Sequence, residues 1–280
     1  MLKYLFDLLL FTSLFIAGCA LVMVIQTNQL LHLQYNHLAY LVFVFFSTLC
    51  SYNFHWYLSG DATSENARIR WTQHHKTLHL VLTSIGTLVS VWYFFQFIEH
   101  WFWLAGAVLL TFLYSAPKLQ YGPFAWLSRI AVGKTLFLAF VWMYVTTFLP
   151  IAIDDHHWNM AAVLFCTSRF MLIYAICIIF DYRDRDYDKL SGIRSMITYF
   201  NERGINNLFA LSLAGFVIST VALYFYELSI LTIVLLLIPG VITAVLYPVA
   251  KKNFSDYLYY FVLDGLMMFS SLLTIFIPNK

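Results

Sequence analysis

Charged side chains are scarce in this chain: of its 280 residues only 11% are Asp, Glu, Lys or Arg. Soluble domains carry roughly 25% charged residues. Because 61% of the residues are also hydrophobic, the composition excludes an ordinary soluble domain and predicts an integral membrane protein. The few basic residues are dispersed among loops between apolar runs, so the sequence gives no support to nucleic-acid binding.

Cysteine is sparse as well, and the common glycine-containing catalytic motifs are missing. The four cysteines lie inside apolar runs, which is typical of small core residues and gives no disulfide framework and no zinc spacing: Cys19, Cys50, Cys166 and Cys177. The sequence has neither a glycine-rich phosphate loop nor a nucleophile elbow. Neither kind of site is therefore expected.

Long apolar runs make up most of the chain. A membrane-spanning helix needs about 20 mostly apolar residues, and we predict nine such helices, of which the fourth is short: 5–25, 38–58, 77–98, 101–116, 126–150, 159–180, 205–226, 228–250 and 257–277. Ile16–Cys19 resembles a bacterial lipoprotein cleavage box, but the apolar run continues to Ile25, which favours a transmembrane helix. The predicted fold class is all-α, a multi-pass membrane protein with a single integral membrane domain over residues 1–280.

Lys and Arg residues occupy every second loop, and the loops between them hold none. Basic loops stay on the cytoplasmic side, so we predict a bacterial inner-membrane protein with its N-terminus in the cytoplasm and its C-terminus outside. The two longest charged loops, 59–76 and 181–204, then lie on the cytoplasmic face, where we expect the active site.

Three ionisable residues lie more than five positions inside the apolar runs: Lys134, Arg169 and Asp264. Charges at this depth normally face a partner or a water-filled cavity. Arg169 and Asp264 lie roughly 17 Å and 11 Å from the cytoplasmic ends of their runs, at about 1.5 Å per residue. We therefore predict a structural ion pair between them.

An acidic cluster follows the sixth apolar run. Four of the 14 acidic residues lie within eight positions: Asp181, Asp184, Asp186 and Asp188. A helix advances about 100° per residue, so Asp181, Asp184 and Asp188 share one face and Asp186 points elsewhere. Carboxylate oxygens suit Mg²⁺, which commonly bridges to phosphate. The alternative is a solvated helix terminus whose acids are neutralised by the basic residues Arg183, Arg185 and Lys189.

Two other segments extend this pattern: Asn53, Asp61 and Arg68 after the second run, and Tyr114-Ser-Ala-Pro-Lys118 after the fourth. Together with the acidic cluster they resemble the UbiA-type membrane prenyltransferase superfamily, which has two Asp-rich motifs after helices 2 and 6 and a Tyr-Ser-x-Pro segment between them. The first motif is only partial, because Phe54 and Tyr57 stand where the family usually has acids. The second is matched through Asp181, Asp184, Asp188, Lys189, Gly192 and Arg194.

The resemblance implies nine helices in a UbiA-like bundle, with a central cavity that opens to the cytoplasmic side. It implies a transferase that moves an isoprenyl group from an isoprenyl diphosphate to a lipophilic acceptor in the membrane, with Mg²⁺ as cofactor. The metal ligands implied are Asp181, Asp184 and Asp188, with a weaker site at Asn53 and Asp61. The diphosphate-binding residues implied are Asn53, Arg68, Tyr114, Lys118, Lys189 and Arg194, and Lys118 joins the three aspartates as catalytic.

Other interpretations stay open. One alternative is a terpene cyclase that uses the same site, in which the ionised isoprenyl group is attacked from within its own chain. Another is an inactive lipid-binding relative, because Tyr57 stands at a position where the family usually has an acid. His75 and His79 form a possible metal pair at i, i+4, but interfacial histidines are favoured. The Asp154–His157 segment is interpreted as a solvated loop on the opposite face. His55 is a candidate for the mouth of the cavity.

Overall fold

The structure, a computed structural model, describes residues 2–59, 67–115, 134–154, 158–190 and 196–276. Over these ranges the chain forms helices joined by turns, with no strand. The predicted all-α class is therefore confirmed for the described part of the chain.

The helices are named here in chain order. Helices α1 to α6 are Leu2–Phe11, Leu14–Leu30, His37–Leu58, Ala67–His74, Lys76–Gln96 and Trp101–Ser115. Helix α7 consists of Lys134–Met143, a π-helical turn at Tyr144–Phe148 and Leu149–Ile153. Helices α8 to α11 are Met160–Leu190, Met196–Tyr199, Glu202–Ala222 and Ile230–Ala250, and α12 consists of a π-helical segment, Leu258–Leu263, continued by Asp264–Thr274.

Six described helices are long and apolar enough to cross a membrane: His37–Leu58, Lys76–Gln96, Thr135–Ile153, Met160–Asp186, Glu202–Tyr226 and Ile230–Ala250. The bent pair of α1 and α2 could form a seventh span. Helix α6 has only 15 residues, and α12 is a shorter apolar helix. Each predicted run thus contains a helix in the described residues, whereas nine complete crossings remain a prediction.

The first run does not form the single helix that its hydropathy predicts. The chain bends by 63° between Lys3–Phe11 and Leu14–Leu30. Ser13 adopts a left-handed backbone conformation, with φ of 64°, which interrupts the helix. The bend exposes the Thr12 carbonyl and the Ser13 hydroxyl to neighbouring helices, and both bind residues of the candidate site. Cys19 is buried within α2, as predicted for a core cysteine.

Helix α8 occupies the centre of the bundle. Every residue from Leu172 to Ile179 is buried, on all sides of the helix, which is the pattern of a helix surrounded by others. Helices α3 and α5 pack closely against each other. A Cβ atom on Gly86 of α5 would lie 2.8 Å from the Phe46 carbonyl oxygen and 2.8 Å from Cys50 Cβ of α3, so only glycine fits there.

The predicted ion pair between Arg169 and Asp264 is wrong. Arg169 Nη2 donates a hydrogen bond to Gln26 Oε1 at 2.6 Å, and Arg169 Nη1 donates to the Met23 carbonyl at 3.3 Å. Gln26 Oε1 also accepts from Ser271 Oγ at 3.0 Å. Gln26, the partner of Arg169, therefore lies level with Ser271. Ser271 is seven residues beyond Asp264, roughly 10 Å along the helix, so Arg169 lies too deep to reach the Asp264 carboxyl group. No carboxylate pairs with Arg169 in the ranges that the structure describes.

Candidate active site

The buried core of α8 leads directly to the acidic cluster. Asp181 is itself buried, and its Oδ2 accepts a hydrogen bond from Thr135 Oγ1 at the start of α7. Asp184 follows one turn later with 40% of its side chain exposed, and Asp186 is exposed. Asp181 thus points into the bundle and Asp186 away from it, as the helical spacing predicts. The side chain of Asp188 lies outside the described residues.

Two basic residues of the cluster, Arg183 and Arg185, pair with different carboxylates. Arg183 Nε pairs with Asp184 Oδ1 at 2.9 Å. Arg185 pairs with Glu202 of α10 at 2.8 Å, and Lys251, directly after α11, pairs with the other oxygen of the same carboxylate at 2.7 Å. The neutralisation expected for a solvated helix terminus therefore applies to Asp184 through Arg183. Arg185 instead fixes the end of α8 against α10 and α11.

Arg68, a predicted diphosphate-binding residue, is buried between aromatic rings. Its guanidinium carbon lies 4.1 Å from the ring centre of Trp56 and 4.3 Å from that of Tyr260, and Nη2 donates to Ser13 Oγ at 3.3 Å. Burial lowers the pKa of Arg68, an effect that Tyr260 and Asp264 oppose. The ring faces hold the cation by cation–π attraction.

Arg183 approaches the same tyrosine from α8. Its Nη2 donates to the Tyr260 hydroxyl at 3.1 Å, and its guanidinium lies 4.4 Å from the ring centre of Tyr259. Arg183 Nη1 is buried without a hydrogen-bond partner. Two guanidinium groups thus contact one aromatic ring, and Arg183 Nη1 is the N–H group there that an anion could accept from. No sequence pattern distinguishes Tyr260, which is one of 19 tyrosines in the chain.

Asn53 has a structural role that its motif position did not reveal. Its side chain is fully buried. Asn53 Nδ2 donates to the carbonyl groups of Thr12 at 2.9 Å and Leu49 at 2.8 Å, and Oδ1 lies 2.7 Å from His79 Nδ1. Binding a metal or a diphosphate through Asn53 would require breaking these bonds. This conformation therefore does not favour Asn53 as a metal ligand or as a diphosphate-binding residue, and both roles remain predictions.

The alternative histidine sites also have internal partners. His79 faces Asn53, and His75 stacks on Trp71 with a centre-to-centre distance of 4.1 Å. Asp154 Oδ1 accepts a hydrogen bond from the Gln34 backbone, and Asp155–His157 lies outside the described residues. The His75–His79 pair is therefore not arranged around a common metal position.

The remaining predicted residues lie partly within and partly beyond the described ranges. Tyr114, at the end of α6, stacks on His55 of α3 with ring centres 5.0 Å apart. Ser115 Oγ lies 3.4 Å from His55 Nδ1, so the predicted mouth residue does meet the Tyr-Ser segment. Tyr57 is 36% exposed. The predicted positions outside the described structure are Asp61, Lys118 and Arg194, together with the side chain of Lys189.

A cavity of about 460 Å³ lies between α3, α5, α6 and α7. Its walls are mainly apolar and aromatic, with hydroxyl side chains among them, and Tyr114 lines it at the end where the predicted site residues lie. Tyr52 and Trp142, which are joined by a 3.0 Å hydrogen bond, line it too. The lining on α6 extends from Tyr114 to Ala107, a length of roughly 10 Å. The cavity can therefore accommodate an extended apolar chain.

The donor chemistry of the acidic cluster fits Mg²⁺. Asp181 and Asp184 offer carboxylate oxygens, the ligands that Mg²⁺ prefers, and Mg²⁺ is commonly held by one or two carboxylates plus substrate phosphate. Among the side chains that the structure describes, no group of three or more His, Cys, Asp or Glu residues could hold a metal. Asp61 and the side chain of Asp188 lie outside the described residues, so the structure describes only part of the predicted ligand set.

Comparisons with known proteins identify the fold. No protein-family model matches the sequence, and no curated protein matches it. One similar solved structure comes from work on digeranylgeranylglyceryl phosphate synthase in membranes, with a TM-score of 0.59, 13% identity and coverage of 98% of both chains. Another is a UbiA homolog from Aeropyrum pernix K1, with a TM-score of 0.58, 14% identity and coverage of 95% of this chain and 97% of that one. The fold expected from the motifs is confirmed: this chain has the UbiA-type fold.

Proposed function

We propose that this protein is a prenyltransferase-like membrane enzyme, which transfers an isoprenyl group from an isoprenyl diphosphate to a lipophilic acceptor. The observation that carries the proposal is the junction at the end of α8. The bundle has the UbiA-type fold and encloses the apolar cavity. It contains an inward-facing carboxylate, Asp181, and two guanidinium groups, those of Arg68 and Arg183. Acidic metal ligands beside anion-binding cations are what a diphosphate and its metal require.

Each part of this arrangement supports one part of the reaction. Asp181 and Asp184, with Asp188, would hold Mg²⁺, which supplies positive charge to the departing diphosphate when bound. Arg68 would bind diphosphate oxygens, and Arg183 offers a buried N–H group, Nη1, that has no partner. The rings of Tyr52 and Trp142 line the cavity, where aromatic faces would stabilise positive charge on the isoprenyl group.

The decisive experiment measures binding of farnesyl diphosphate to the purified full-length protein in lipid nanodiscs, with and without Mg²⁺. We expect Mg²⁺-dependent binding by the wild type and its loss in Asp181→Ala and in Asp184→Ala. Asp186→Ala is the matched control, because Asp186 lies on the same helix and is exposed on another face. Unchanged binding in both test variants, or equal loss in the control, would end the proposal.

A non-catalytic, lipid-binding role is the second candidate, because Asp184 is already paired with Arg183 and Tyr57 stands at an acidic position of the first motif. Tyr57→Asp restores that acid. If the site is a weakened enzyme, this variant should bind Mg²⁺ more tightly or turn over farnesyl diphosphate faster. No turnover by either form across diphosphates of several chain lengths would favour the non-catalytic role. Cyclic products without an added acceptor would instead indicate a cyclase.

A further inference from the structure

Asp264 is an intramembrane carboxyl group that the roles described above do not use. It begins the α-helical part of α12, after the π-helical segment Leu258–Leu263. No residue in the described structure forms a hydrogen bond or an ion pair with its side chain. A charged group among apolar helices is costly unless it is paired or faces a polar cavity. Asp264 therefore calls for an explanation other than its predicted pairing with Arg169.

Residues of two other helices lie close to Asp264. Cys19 of α2 and Tyr52 of α3 both lie within electrostatic range of its carboxyl group. Arg68 and Arg183 also lie within electrostatic range of it. Asp264 also keeps part of its surface accessible, which leaves room for a small polar group of a ligand beside it.

The depth of Asp264 relates it to the proposed reaction. Tyr260, which receives the hydrogen bond from Arg183, lies four residues before Asp264 on the same helix. The backbone of Asp264 is therefore roughly 6 Å further along the helix than that of Tyr260, on the side away from the start of α12. A diphosphate held by the two guanidinium groups would direct its isoprenyl group inward, which brings the reacting carbon to the depth of Asp264.

We propose that Asp264 binds the hydroxyl group of a lipophilic acceptor, a phenol or a lipid alcohol, and takes its proton during transfer. This inference rests on the proposed function. The bond between C1 of the isoprenyl group and the diphosphate oxygen breaks, and the diphosphate leaves with the electron pair. A lone pair of the acceptor oxygen forms the new C1–O bond, and the Asp264 carboxylate receives the proton from that oxygen. Asp264 is the acceptor-side group, whereas Asp181 and Asp184 serve the diphosphate.

The test compares two probes that differ by one hydrogen-bond donor, 4-nonylphenol and its methyl ether 4-nonylanisole. Binding of each probe to the full chain in lipid nanodiscs is measured for the wild type, Asp264→Asn, Asp264→Glu and Asp256→Asn. Asp256 is the matched control because it is a second carboxyl group near Arg68 and Arg183, and it accepts a hydrogen bond from the Arg68 backbone. Its position before the π-helical segment places it at the mouth rather than in the interior.

We expect Asp264→Asn to weaken phenol binding about 10-fold or more, as for loss of a hydrogen bond to a charged group, and to leave anisole binding unchanged. Asp264→Glu should keep most of the phenol preference, and Asp256→Asn should keep all of it. Equal phenol affinity in the wild type and Asp264→Asn would overturn the proposal. So would equal wild-type affinity for the two probes, or parallel loss of both probes, which indicates a packing role.

The same samples distinguish this inference from the proposed function. Farnesyl diphosphate binding to the wild type tests the prenyltransferase assignment, and Asp264→Asn should retain that binding. A preference for phenol over anisole without any diphosphate binding would support Asp264 as a hydroxyl-binding residue and count against the prenyltransferase. Loss of diphosphate binding in Asp264→Asn would overturn the acceptor-side role, because it would show that Asp264 supports the cations.

Discussion

The hydrogen bond from Thr135 to Asp181 leads to a quantitative prediction about the metal site. Thr135 is buried, with 4% of its surface exposed, and its hydroxyl donates to Asp181 Oδ2. Thr135→Val keeps the shape of the side chain and removes the donor. A hydrogen bond to a charged group contributes about 1.5–3 kcal/mol, and losing such an outer partner typically weakens metal binding about 10- to 100-fold.

The assay is a Mg²⁺ titration of farnesyl diphosphate binding in nanodiscs. If Asp181 is a metal ligand, Thr135→Val should raise the Mg²⁺ concentration at half-saturation about 10- to 100-fold, and Thr135→Ser should restore it because serine keeps the donor. Thr167→Val is the matched control, since the Thr167 hydroxyl donates only to the Val163 carbonyl of its own helix. An unchanged Mg²⁺ dependence in Thr135→Val would refute the idea that this bond orients a metal ligand.

Three further predictions concern stability and pH. Gly86→Ala should destabilise the protein by about 1–3 kcal/mol through overpacking, whereas Gly18→Ala, with nothing within 4 Å of the added Cβ, should not; a comparison of thermal unfolding midpoints in detergent checks this. Gln26→Leu should cost about 1–3 kcal/mol because it leaves the buried Arg169 guanidinium without its shortest hydrogen bond, and adding Arg169→Met should recover part of the loss; a double variant less stable than the single one would contradict this account. Burial raises the pKa of Asp256 above its usual value of 3.8, although Arg183 and Arg68 oppose the shift. A raised carboxyl pKa means that stability is lost as pH rises through it, so Asp256→Asn should stabilise the protein at neutral pH, and the gain should disappear as the pH falls below 4; a gain that is equal at both pH values would show that charge is not the cause.

The predictions that succeeded depend on local pattern. Hydropathy predicts a membrane protein because each span has to satisfy its own backbone and present apolar side chains to lipid. The direction of Asp181 and the exposure of Asp186 follow from 3.6 residues per turn, which is a property of the helix itself. The order of the motifs along the chain was enough to predict the UbiA-type fold, although no family model matches the sequence.

What the sequence could not determine depends on contacts between helices. The bend at Thr12–Ser13 exposes a carbonyl that Asn53 binds, so a residue that resembles a motif ligand becomes a structural link. Opposite charge predicts Asp264 as the partner of Arg169. The two residues lie at different depths in the bundle, however, and Arg169 binds Gln26 instead. Tyr260 contacts two guanidinium groups because side chains from α4 and α8 both reach α12 at that level. Depth, bend and crossing position arise from packing between distant segments, and the periodicity of a single helix carries no information about them.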